Sequence, residues 1–101
     1  MSVNYLETAE ELEAVKDGVV LYWATWCGPC KMFKPVYEKV ASTVEADFYA
    51  FDIDQDLTAV QDRGIMGVPT VVVYRDGEPV RLQETAPLKF AEEVKNAVAD
   101  R

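Results

Sequence analysis

Cys27 and Cys30 are the only cysteines in a chain that contains no histidine. Cysteines at this spacing can supply half of a zinc site, close a structural disulfide, or cycle between dithiol and disulfide. Zinc would have to find its other ligands among carboxylates or on a second chain, so no metal is expected. A purely structural disulfide is disfavoured in a reducing compartment. The local sequence, Trp26-Cys27-Gly28-Pro29-Cys30-Lys31, lies where an apolar run ends and a helical period begins. Sulfurs three residues apart at a helix start share one face and can bond without refolding the backbone. The first meets unpaired amides and the positive end of the helix dipole, which favour the thiolate, the attacking species. Cys27 is therefore expected to be the nucleophile. Cys30, one turn further in and less exposed, is expected to attack the resulting mixed disulfide and release the substrate. Pro29 fits a first turn, where its missing N–H has no partner to lose, and it stiffens the loop.

The elements that must hold this dithiol can be read on either side of it. A short extended segment at Val3 to Leu6 precedes Thr8-Ala9-Glu10-Glu11, a capping box that opens a helix running to about Asp17-Gly18. Val19 to Ala24 is an apolar run rich in β-branched and aromatic residues, as in a strand buried on both faces. From Lys31 to about Val44, residues Phe33, Val36, Tyr37, Val40 and Val44 keep the helical period, and Pro35 interrupts it. A second buried strand is expected over Phe48 to Ile53, then a short helix capped by Asp54 or Asp56 and ending before Gly64. Thr70 to Tyr74 reads as a strand, Asp76-Gly77 as a hairpin turn and Val80 to Gln83 as the returning partner. Pro87 to Asp100 closes the chain as a helix with Leu88, Ala91, Val94 and Val98 on its inner face. The predicted order is β-α-β-α-β-α-β-β-α, an α/β fold with a central mixed sheet flanked by helices.

Length and composition restrict what this frame can serve. The 101 residues suit a single domain over 1–101, and 50% apolar with 28% charged residues is a globular composition. A net charge of −8 has the wrong sign for phosphate backbones or anionic lipid, so neither nucleic acid nor membrane is an expected partner. Val19 to Ala24 falls far short of a membrane span, and residues 1–17 carry acids where a signal peptide needs a basic start. The expectation is a cytoplasmic protein. Asp52, Asp54 and Asp56 imitate the start of a calcium loop, but Leu57 replaces its glycine and Arg63 its closing glutamate. Helix capping and solvation account better for these acids. Lys31, near the dithiol, reads as a solvated charge.

WCGPCK at 26–31, Trp23-Ala24 before it, Pro35 after it, Asp52-Ile53-Asp54-Gln55, Gly64-Ile65, Gly67-Val68-Pro69-Thr70 and Asp76-Gly77-Glu78 resemble, in order and along nearly the whole chain, the thioredoxin family. The resemblance implies the thioredoxin fold and a redox-active electron carrier that reduces protein disulfides without a cofactor. It implies re-reduction by thioredoxin reductase or an equivalent donor, and a monomer. The Gly-Pro pair between the cysteines is the version found in reducing thioredoxins. By position, Pro69 matches a cis-proline facing the dithiol, Val68 a backbone that pairs with extended substrate, and Trp26 an exposed aromatic beside the nucleophile. Trp26, Gly28, Pro29, Val68 and Pro69 are thus the implied substrate-binding residues, while Trp23 is expected to pack beneath the loop. The same residues would also serve a glutaredoxin-like or oxidising redoxin, or a thioredoxin-like protein-binding subunit. Three positions depart from the family. Leu21 and Ala50 stand where a buried Asp and its Lys companion are usual, and Thr85 is the ungapped match to a glycine of the substrate groove.

Overall fold

The computed structural model describes residues 3–99, and its order of elements is the one the sequence predicts, with one added turn of 3₁₀ helix. Strand β2 (Gly18–Trp23) is the centre of the molecule because its side chains are apolar on both faces. It pairs in parallel with β3 (Phe48–Asp52), which pairs in parallel with β1 (Asn4–Leu6). On its other side it pairs antiparallel with β4 (Thr70–Arg75), which returns through a tight turn as the edge strand β5 (Glu78–Leu82). The five-stranded mixed sheet therefore runs β1-β3-β2-β4-β5. Gly18 opens β2 at φ 145°, and a Cβ there would lie 2.8 Å from the Tyr49 ring and 2.9 Å from the Asp47 carbonyl, so only glycine fits.

Two apolar layers cover the sheet. Helix α2 (Gly28–Ala41) and helix α4 (Pro87–Ala99) supply Phe33, Tyr37, Val40, Phe90 and Val94 to one, against Val19, Leu21, Ala50, Val71 and Val73. The Phe33 and Phe90 rings meet edge to face at 4.9 Å, which fixes the two helices against each other. Helices α1 (Ala9–Glu13) and α3 (Leu57–Asp62) supply Leu12 and Val60 to the second layer, against Val20, Tyr22, Phe51 and Val72. Both cysteines belong to this second layer.

Several local expectations change. The Thr8 hydroxyl accepts from the Glu11 amide as a capping box requires, but the Glu11 carboxylate reaches the Glu7 amide, one residue earlier than expected. Helix α1 stops at Glu13 instead of Asp17. Lys16 and Asp17 are drawn off to meet the β4–β5 turn, where the Lys16 carbonyl accepts from Gly77 and the Asp17 carboxylate from Asp76. Asp56 caps α3 through the Ala59 amide, whereas Asp52 caps the 3₁₀ turn through the Asp54 amide. Leu88, expected on the inner face of α4, is 84% exposed. Phe90 and Val94 set the buried stripe, and Leu88 in the first turn falls outside it.

Candidate active site

Strand β2 runs into the turn Ala24–Trp26, and the next residue, Cys27, is the N-cap of α2. Its backbone is extended, with φ −90° and ψ 110°, and its sulfur takes the place that a serine or aspartate oxygen usually fills. The Cys30 amide donates to Cys27 Sγ at 3.1 Å. An anion at that sulfur therefore meets a helix amide and the positive end of the helix dipole together. Pro29 lies in the first turn, where the lost donor costs nothing. The two cysteines are bonded, with Cα atoms 5.2 Å apart. Cys27 is 5% exposed and Cys30 1%, which is the expected order of access.

The second wall of the site comes from the segment before β4. Val68-Pro69 is a cis peptide bond, as the resemblance implies. The Val68 carbonyl lies 3.7 Å from Cys27 Sγ. In the disulfide that sulfur has no proton, so this is a contact that only a reduced thiol could turn into a weak hydrogen bond. The Thr70 hydroxyl donates to the Gly67 carbonyl and closes the turn around Pro69. Trp26 is 65% exposed, and its Nε1 donates to Asp54 Oδ2 at 2.9 Å. Of the three aspartates in the loop-like spacing, two cap helices and the third holds this indole. Lys31 and Gly28 are exposed, and a Cβ at Gly28 would meet nothing within 4 Å.

Trp23 lies half-buried below the loop, between the two layers. The Lys34 ammonium sits 4.2 Å from the centre of its ring and 5.0 Å from that of Tyr5. The Tyr5 hydroxyl donates to Glu38, and burial followed by this carboxylate pushes its pKa up to about 12. Leu21 and Ala50 face each other across β2 and β3, each 1% exposed. Their apolar pairing leaves no unbalanced charge in the layer under α2 and α4.

An apolar groove of about 710 Å³ opens beside the dithiol, lined by Pro29, Met32, Val36, Pro69, Thr85 and Pro87, with Phe33 at its floor. Thr85, Pro29 and Pro69 thus meet on one surface, although they lie far apart in the chain. Met32, 80% exposed, and Pro87 are groove residues that sequence reasoning did not single out. The signal for Met32 was its place one helical turn beyond Gly28 and Pro29 on α2.

Comparison with known proteins decides the family. The family model described as Thioredoxin matches residues 3–99. The chain belongs to the thioredoxin family. A thioredoxin of Staphylococcus aureus is 39% identical over 84 residues, covering 79% of this chain and 81% of the relative. The solved structure of a thioredoxin from Malassezia sympodialis is 31% identical with a TM-score of 0.78, covering 94% of this chain and 90% of that one. A thioredoxin structure from Trypanosoma brucei brucei, 23% identical, has the same fold at a TM-score of 0.85 over 98% of this chain and 93% of its own. Family, fold and the bonded Cys27–Cys30 pair make this protein a thiol-disulfide oxidoreductase. Membership implies in general a reductase as electron donor and disulfides as substrates. No helix among the described residues is long and apolar enough to cross a membrane.

Proposed function

We propose that the protein reduces disulfides in other proteins, with Cys27 as nucleophile and Cys30 as resolving thiol. The Cys27 thiolate attacks one sulfur of the substrate disulfide, forming a mixed disulfide, and the other substrate sulfur leaves as a thiolate that takes a proton from solvent. Cys30, deprotonated, then attacks Cys27 Sγ, closing the Cys27–Cys30 bond and releasing the second substrate thiolate. Two electrons pass to the substrate in the full cycle, and a reductase of the thioredoxin reductase type or an equivalent donor restores them. With Leu21 and Ala50 apolar, no carboxylate or amine at those positions takes the Cys30 proton, which leaves to solvent or to the departing substrate thiolate. Trp26, Gly28, Pro29, Val68 and Pro69 form the surface on which the substrate chain lies, with the Val68 backbone as its hydrogen-bonding edge. The chain acts as one domain, a monomer in the cytoplasm.

The observation that carries this reading is the hydrogen bond from the Cys30 amide to Cys27 Sγ at the start of α2, which supports Cys27 as the sulfur whose thiolate is stabilised. The test is trapping. Cys30→Ser is expected to accumulate a mixed disulfide with a protein substrate, and Cys27→Ser to accumulate none. Preferential alkylation of Cys30 in the reduced protein at mild pH would reverse the assignment.

A further inference from the structure

The groove beside the dithiol does not end at Val36 and Pro87. The same two residues begin a second apolar hollow of about 430 Å³, which continues between α2 and α4 past Pro35 and Val40 to Leu88 and Ala91. Single exposed leucines are ordinary on protein surfaces. Here Leu88 at 84% exposure and Met32 at 80% lie along one trough that starts at the reactive turn. The trough is therefore continuous with the surface that any substrate of Cys27 must touch.

We propose that this second hollow extends the substrate site and takes an aliphatic or aromatic side chain of the polypeptide whose disulfide is being reduced. The proposal rests on the dithiol-exchange reading above. Geometry sets where that side chain must be. Val36 and Val40 lie seven and eleven residues beyond Pro29 on α2, or about 10 and 16 Å at roughly 1.5 Å per residue. An extended substrate covers about 3.3 Å per residue, so the anchoring side chain belongs about three to five residues from the attacked cysteine. A second copy of this chain is the other possible occupant. It is the less favoured one because the hollow opens directly onto the dithiol groove, which a disulfide client must already enter.

The test uses a pair of short peptides, each with one cysteine joined by a disulfide to a nitrothiobenzoate reporter. One carries leucine and the other serine four residues from that cysteine, prepared on each side in turn. The native protein is expected to favour the leucine peptide by about 5- to 10-fold in kcat/KM on one side. In Leu88→Gln, whose fold is checked by its thermal melt, this ratio is expected to fall towards one. A native protein without preference on either side, or a preference that Leu88→Gln leaves intact, overturns the proposal. Self-association in sedimentation that Leu88→Gln abolishes also overturns it, in favour of the second copy. Inability of the native protein to reduce the reporter's own symmetric disulfide would instead sink the dithiol-exchange reading on which the proposal depends.

Discussion

At the scale of single residues, the site owes its chemistry to one substitution of roles: a sulfur caps a helix where an oxygen usually does. The motif around Cys27 and Cys30 announces this in the sequence because helix start, spacing and residue type all coincide. The hydrogen bond from Trp26 to Asp54 is not legible in the same way. It joins residues 28 apart, and the aspartate spacing alone suggests only caps or a calcium loop. The Leu21 and Ala50 pair is legible only as a departure from the family, and the structure adds that the two face each other in a layer separate from the cysteines. Leu21→Asp would place an unpaired carboxyl there, at an expected cost of about 3 to 5 kcal/mol once ionised. Burial raises the pKa of such a group above its unfolded value, so the neutral form is favoured in the fold. The variant should then lose stability as pH rises through the folded pKa, and denaturant melts at about pH 5.5 and about pH 8 should differ for it far more than for the native chain. Equal losses at both pH values would mean that the carboxyl reaches water.

At the scale of elements, the order of strands and helices follows from local pattern: β2, β3 and β4 are largely apolar runs, each long helix carries one apolar stripe, and the edge strand β5 is marked by the Asp76-Gly77 turn before it. What periodicity cannot supply is a contact made by residues far apart. The early end of α1 is of that kind, because the β4–β5 turn claims Lys16 and Asp17. Leu88 is another case. Its spacing from Ala91 fits a buried stripe, yet the larger Phe90 finds Phe33 and turns the helix to its own phase. Tyr37 shows how firmly α2 is tied to the sheet beneath the dithiol. Its hydroxyl lies 2.6 Å from the Tyr49 carbonyl on β3 and 3.1 Å from the Val19 carbonyl on β2, and its single proton serves one at a time. Tyr37→Phe is expected to cost about 1 to 2 kcal/mol by denaturant melt, with the rate of disulfide exchange unchanged. A large fall in exchange rate at undiminished stability would show instead that the hydroxyl positions the helix start.

At the scale of the whole molecule, the titration behaviour is set by what the chain lacks and by what it buries. It has no histidine, and in the oxidised protein both cysteines are bonded, so the side-chain types that ordinarily titrate near neutrality are missing. Tyrosines dominate the alkaline limb. Burial, and after it the hydrogen bond with Tyr74, holds the Tyr22 pKa well above the usual phenol range, and burial does the same for Tyr37. Burial and then Asp47 also raise that of Tyr49. A phenol whose folded pKa exceeds its unfolded value contributes stability that is complete below about pH 10 and is lost as pH rises towards the folded pKa. In that window the unfolded chain has already given up the proton that the folded chain keeps. Each fully affected phenol therefore removes about 1.4 kcal/mol of stability per pH unit above 10. Tyr22 and Tyr74 share a 2.7 Å hydrogen bond inside the layer that holds the cysteines, with the Arg63 guanidinium 3.3 Å from the Tyr74 oxygen. Tyr22→Phe deletes one such group and should make the alkaline fall shallower by about that amount per pH unit, even if the variant is less stable at neutral pH. Urea melts of the oxidised native protein and of Tyr22→Phe at several pH values above 9 measure the two slopes. Parallel slopes would mean that Tyr22 ionises in the folded protein as readily as in the unfolded chain, and would overturn this account of the alkaline limb.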